Sequence, residues 1–181
     1  MKRLVFLGDM HCGNRFGLTP PTWQYQETDG FYAKVAQFQR ELWSWYTKTI
    51  DYLKPIEALI DNGDSIDGKG TKSGGTELFE MDRIRQVDIA YECLKYADAK
   101  TYRVINGTPY HVGQDEDFEY ILASKLNGRY SNHDNFECEG VRFDVKHFVG
   151  NSSVPYGRST AIQKEETWIA LKHERDKKAN K

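Results

Sequence analysis

The sequence lacks the features that define several protein classes. It has no apolar run long enough to span a bilayer, no internal repeat and no low-complexity linker. The start of the chain, Met1 to Leu7, is too short for a signal peptide. Only three cysteines are present, widely spaced and odd in number, which argues against a disulfide framework and for a reducing, cytoplasmic compartment. We expect no membrane association and no obligate protein partner.

The sequence also has no large excess of either positive or negative charge. The 25 basic and 27 acidic residues leave a formal net charge of -2. This balance does not favour nucleic acid as a partner, although it leaves room for a local basic groove. A glycine-rich phosphate loop after the first strand is absent too, which counts against a generic α/β nucleotide-binding domain.

What is present is an alternation of strand-like and helix-like segments over a chain of 181 residues, a length typical of one domain. This order predicts an α/β fold with a largely parallel sheet, formed by a single domain over 1–181. The predicted strands are Leu4 to Leu7, Ile56 to Ile60, Thr101 to Ile105 and Val141 to Phe148. The predicted helices are Tyr32 to Leu53, Met81 to Tyr96, Phe118 to Leu126 and Thr160 to Lys178.

Polar clusters follow the first two predicted strands. Asp9-Met10-His11 comes after Leu7, and Gly63-Asp64-Ser65-Ile66-Asp67 comes after Ile60. Each has an ordinary alternative: a capping Asp with a surface His, and a turn in which Asp67 bonds only to the loop backbone. Because the carboxyl ends of parallel strands gather polar residues, their joint occurrence favours a metal site. Carboxylate and imidazole ligands suit Mn, Fe, Zn or Ni.

Two further clusters lie at later strand ends. Asn106-Gly107-Thr108-Pro109-Tyr110-His111 follows the third strand, and His147 lies near the end of the fourth. The alternatives are an exposed loop histidine at position 111 and a core histidine at position 147. Arg158 could bind a substrate phosphate as a bidentate donor or simply be a solvated loop residue.

Through Asp9-Met10-His11 and Gly63-Asp64-Ser65-Ile66-Asp67, the chain resembles the calcineurin-like metallophosphoesterases. Gly107-Thr108 followed by His111 is similar to the variant found in phage and prophage members. The resemblance implies an αββα β-sandwich flanked by helices, with two divalent metal ions, of which Mn is favoured. It also implies that Asp9 and His11 bind the first metal, that Asp64 bridges both, and that His147 is a further ligand.

At the third motif the resemblance leaves two residues for the family's Asn ligand, namely Thr108 and Asn106. It gives His111 the role of protonating or polarising the leaving group. The last family motif, Gly-His-x-His, does not occur after His147. We therefore expect a domain truncated at its C-terminal end, or a naturally short relative with fewer ligands.

The expected function is metal-dependent hydrolysis of phosphate mono- or diesters, with nucleotides or nucleic acid among the candidate substrates. The alternative is an inactive or weakly active relative that serves as a binding or structural module. The missing last motif and Thr108 favour that alternative.

Overall fold

The computed structural model describes residues 2–112, 117–150, 154, 157 and 159–179. The chain divides into two compact units, Met1–His147 and Phe148–Lys181. A single domain over 1–181 stays a prediction. Within the described ranges, no helix combines the length and the apolar character needed to cross a membrane.

A four-stranded parallel sheet lies at the centre of the first unit. Its strands, in spatial order, are β1 (Leu4–Leu7), β2 (Ala58–Asp61), β3 (Thr101–Ile105) and β4 (Arg129–Ser131). In the parallel register, Ala58 of β2 pairs with Leu4 of β1 on one side and with Thr101 of β3 on the other. The carboxyl ends of these three strands therefore lie at the same edge of the sheet. The predicted α/β fold with a parallel sheet is confirmed.

The three predicted helices of this unit begin and end close to their predicted bounds, and a fourth, α3 (Pro109–Val112), was not predicted. α1 ends where Lys54 adopts an extended backbone, because a residue before proline is disfavoured in helical conformation. α2 begins after Asp82, whose side chain accepts hydrogen bonds from the N–H groups of Ile84 and Arg85. The helices are α1 (Gly30–Leu53), α2 (Arg83–Tyr96), α3 (Pro109–Val112) and α4 (Phe118–Lys125).

An antiparallel hairpin of β5 (Asp134–Cys138) and β6 (Val141–Val145) covers one face of the parallel sheet. Val145 packs in one cluster with Ile60 and Ile105, and the rings of Phe6 and Phe143 are 5.7 Å apart. The other face of the sheet packs with residues of α1 and α2 in the larger core. The strand predicted for 141–148 is shorter than expected, so His147 follows β6 rather than lying within it.

The second unit contains α5 (Thr160–Ala179), which confirms the helix predicted from Thr160. Its first turn is closed by the N–H of Gln163, which donates to the carbonyl of Ser159. The side chain of Trp168 is 68% exposed on this helix.

Candidate metal centre

The loops that follow β1 and β2 run side by side at the carboxyl edge of the sheet. The N–H of Asp9 donates to the carbonyl of Gly63 at 3.0 Å, and the N–H of His11 donates to the carbonyl of Asp64 at 3.0 Å. These backbone bonds continue the parallel pairing of the strands beyond their ends. The two sequence clusters therefore lie within reach of each other.

Three of the predicted ligands adopt left-handed backbone conformations. The φ angles are 54° at Asp9, 46° at His11 and 53° at Asp64. Each such residue costs about 1–3 kcal/mol and persists only where its surroundings hold it in place. Strain of this kind is concentrated at functional sites. Six non-glycine residues of the described ranges have such angles, and three of the six are candidate ligands predicted from the sequence.

The first group of potential ligands contains His11, Asp67 and His111, whose ligand atoms all lie within 4.8 Å of one another. Asp67 Oδ1 is 3.2 Å from His11 Nδ1 and 3.6 Å from His111 Nδ1. Asn14 donates to the other oxygen of Asp67 at 3.1 Å. Asp67 is thus more than a loop residue, because its carboxylate lies between two imidazoles.

The protonation of this group reflects its close charges. Interaction with the Asp67 carboxylate raises the pKa of His11, although burial opposes the shift. Burial favours the neutral form of Asp67, but its interactions with His11 and Asn14 hold the pKa of Asp67 below its usual value. His11 Nδ1 is nevertheless buried without an aligned hydrogen-bond partner. An unpartnered imidazole nitrogen beside a carboxylate fits a divalent cation.

The second group contains Asp9, Asp64 and His147, again with ligand atoms within 4.8 Å of one another. His147 Nδ1 is 2.5 Å from the carbonyl oxygen of Asn62, so this nitrogen must carry the proton and donate it. In the neutral ring Nε2 is then unprotonated, and it lies 3.2 Å from Asp64 Oδ2. A lone pair that faces a carboxylate oxygen also fits a cation, and orientation of a ligating histidine through its other nitrogen is common at metal sites.

The loop after β3 completes this second group. The N–H of Thr108 donates to Asp64 Oδ1 at 2.7 Å, and its hydroxyl lies 3.2 Å from both carboxylate oxygens. Asn106 instead donates its backbone N–H to the carbonyl of Ser131. Of the two residues proposed for the missing Asn ligand, the structure brings Thr108 into contact with Asp64.

Glycine is required where this loop passes Asp64. A Cβ atom at Gly107 would lie 2.2 Å from Asp64 Oδ1, far inside van der Waals contact. A Cβ atom at Gly63, which has a φ of 91°, would lie 2.8 Å from the Cα of Gly107. The loops that carry Asp64 and Thr108 therefore approach each other more closely than any residue with a side chain would allow.

Two buried carboxylates lie behind the ligands. Glu119, at the start of α4, accepts hydrogen bonds from the N–H of Ser65 at 2.9 Å and the N–H of Gly107 at 2.6 Å. Asp61 accepts from the hydroxyl of Ser65 at 2.5 Å. Burial raises the pKa of both carboxyl groups. Sequence reasoning missed this pair, because one residue ends a strand and the other sits in a short helix without any motif.

The predicted site residues thus separate into two groups. The structure places His11 with Asp67 and His111, and Asp9 with Asp64 and His147. His11 Nε2 is 3.9 Å from Asp9 Oδ1, so the two groups adjoin. Arg158 lies outside the described residues.

Comparisons with known proteins place the chain in no family. No family model matches it, and no curated protein matches it. Among solved structures, it is similar to a protein of unknown function, AQ665 from Aquifex aeolicus, with 15% identity and a TM-score of 0.44. The alignment covers 96% of this chain and 75% of that one.

Proposed function

We propose that this protein is a metal-dependent phosphoesterase that hydrolyses phosphate mono- or diesters with two divalent cations, Mn being favoured over Fe, Zn and Ni. The observation that carries the proposal is the pair of adjoining groups at the sheet edge, each with three potential ligands within 4.8 Å of one another. As part of this proposal, the α/β fold is of the metallophosphoesterase-like β-sandwich type that the resemblance implies.

The residues present fit such cations. His11 and Asp67 would hold one ion, with His111 beside it, and Asp9, Asp64 and His147 would hold the other. The mixture of carboxylate oxygens and imidazole nitrogens suits Mn, Fe, Zn and Ni. When bound, the cations would polarise the phosphoryl oxygens and lower the pKa of an attacking water.

Residues of the chain orient the candidate ligands and provide a group for proton transfer. Asp64 is held by Thr108, whereas the side chain of Asp9 is 70% exposed and open to substrate. His111 Nδ1 lies 2.9 Å from the carbonyl oxygen of Asp67, so that nitrogen donates its proton there. Nε2 of His111 is then the atom that can exchange a proton with the leaving group, in line with the role suggested by the resemblance.

The test begins with protein stripped by EDTA and assayed on bis(p-nitrophenyl) phosphate. We expect activity to return on addition of Mn²⁺ and to fall at least about 100-fold in Asp64→Asn, because that side chain sits at the centre of the second group. The matched control is Asp88→Asn, since Asp88 pairs with Lys125 on the helices and outside both groups. It should remain within about twofold of the wild type.

Metal analysis and the activity assay together separate this proposal from its rival. A binding or structural module would hold metal without turnover, or hold none. Full activity in EDTA, or unchanged activity in Asp64→Asn, would overturn the catalytic role assigned here. Close to two equivalents of Mn per active chain would support a dinuclear centre.

A further inference from the structure

A cleft of about 510 Å³ opens directly beside the first ligand group. One wall contains His11, Asp67 and His111. Asn14 and Glu77 also line the cleft, and its apolar part comes from the loop after β1 and from α1. Its larger side chains are Phe16, Leu18, Leu42, Trp45 and Tyr46. We call this space the aromatic cleft.

Helical spacing explains the α1 side of the aromatic cleft. Leu42, Trp45 and Tyr46 are three and four residues apart, so they share one face of the helix. Tyr46 is only 2% exposed, and its hydroxyl donates to the carbonyl of Cys93 at 2.6 Å, which fixes the floor. Trp45 lines the same cleft and is 63% exposed, so its indole is accessible to a ligand there.

Phe16 is the aromatic residue that the loop after β1 contributes to the cleft. It is 51% exposed, and its ring meets Phe38 edge to face with centroids 5.5 Å apart. A single exposed aromatic residue needs no explanation. Two exposed aromatic rings that line the same cavity as three potential metal ligands are different, because a group bound at the ligands shares that cavity with them.

We propose that the aromatic cleft is a specificity subsite that binds a planar aromatic group of the phosphoester substrate, either an aryl group or a nucleobase. This inference rests on the proposed function. The ester group of a phosphoryl compound held at His11, Asp67 and His111 would share the cleft with these aromatic and apolar side chains. Stacking on an exposed indole does not depend on the identity of the ring, so both sources share one chemistry.

The experiment measures dissociation constants rather than turnover. Mn-loaded protein is titrated with methylphosphonate, phenylphosphonate and thymidine 5′-monophosphate. We expect phenylphosphonate to bind roughly tenfold more tightly than methylphosphonate, which is within the range for stacking on one aromatic side chain. The nucleotide arm shows whether the subsite accepts a base as well as a simple aryl group.

The variants assign the preference to the cleft. Trp45→Ala should reduce the ratio between the phenyl and methyl compounds to about twofold or less, since it removes the stacking surface. Phe16→Ala should reduce it in part, and circular dichroism checks that both variants fold. Tyr52→Ala is the matched control, because Tyr52 lies on the same helix, is 84% exposed and does not line the cleft. It should leave the ratio unchanged.

The outcomes separate the two proposals. Equal binding of the phenyl and methyl compounds by a protein that hydrolyses bis(p-nitrophenyl) phosphate would overturn the subsite and leave the phosphoesterase intact. An aromatic preference that persists in Trp45→Ala and Phe16→Ala would also overturn the subsite. Failure to bind any of the compounds, together with no hydrolysis, would overturn both.

Discussion

Replacing Glu119 with glutamine should loosen two ligand loops without removing any candidate ligand. One carboxylate oxygen of Glu119 accepts from the N–H of Ser65 at 2.9 Å and lies 3.1 Å from the Ser65 hydroxyl oxygen, whose proton is donated to Asp61. The other oxygen accepts from the N–H of Gly107 at 2.6 Å. Ser65 adjoins Asp64 and Gly107 adjoins Thr108, so this one side chain ties together the loops after β2 and β3.

The size of the effect follows from counting acceptors. The single oxygen of glutamine can keep the hydrogen bond from the Ser65 N–H, but its NH₂ group would then face the N–H of Gly107, donor against donor. A buried donor without a partner costs about 1–3 kcal/mol. Loss of an outer partner of this kind lowers metal affinity roughly 10–100-fold. We therefore expect Glu119→Gln to be about 2 kcal/mol less stable than the wild type near pH 5, where Glu119 is protonated but both of its oxygens can still accept from N–H groups.

The pH dependence has a definite sign. Burial raises the pKa of Glu119 from 4.5 to about 7. Because the folded pKa is above the unfolded one, the stability from this group is complete below the unfolded value. It is lost as the pH rises from about 4.5 through about 7. Glutamine does not titrate, so the difference between the two proteins should be widest near pH 5 and narrow at pH 8.

Urea unfolding in EDTA at the two pH values measures the stability, and Mn²⁺ titration measures the affinity. Glu92→Gln is the matched control, because Glu92 also accepts two hydrogen bonds, from the Thr22 hydroxyl and the Trp23 indole, away from the ligands. It should leave Mn²⁺ affinity unchanged. Wild-type affinity in Glu119→Gln, or an equal loss in Glu92→Gln, would refute the idea that Glu119 holds the loops.

Two further predictions concern the site itself. Gly107→Ala should abolish Mn²⁺ binding and cost about 3 kcal/mol, because its Cβ would lie 2.2 Å from Asp64 Oδ1. Gly74→Ala, with a φ of 62° and open space around it, should cost only about 1 kcal/mol in the same unfolding and titration assays. Mn²⁺ binding by Gly107→Ala would contradict the packing argument. In the second prediction, the raised pKa of His11 means that its pairing with Asp67 stabilises metal-free protein fully below pH 6.5 and less as the pH rises through the folded value. The stability gap between wild type and His11→Asn should therefore be larger at pH 5.5 than at pH 9 in urea unfolding, and a gap independent of pH would contradict this.

Local signals predicted most of the first unit. The apolar run Leu4–Leu7 forms β1 as predicted, because a short apolar segment that ends at Gly8 is typical of a buried strand. α1 ended before Pro55 for a steric reason that operates within a few residues. The sequence did not predict β4 and β5. Arg129–Ser131 and Asp134–Cys138 are short and polar, and are strands only through the pairing partners that tertiary structure supplies.

For the candidate site, the sequence by itself determined which residues reach the sheet edge. Asp9, Asp64 and Thr108 each follow a strand, and parallel strands bring their carboxyl ends together. Only the tertiary structure decided how these residues group. Asp67 joins His11 and His111 because the loops after β1 and β2 stay paired beyond their strands. Glu119, in α4, accepts hydrogen bonds from both ligand loops. Its partners are far away in sequence and are brought close by the packing of the helix on the sheet, so no local sequence pattern could have predicted these contacts.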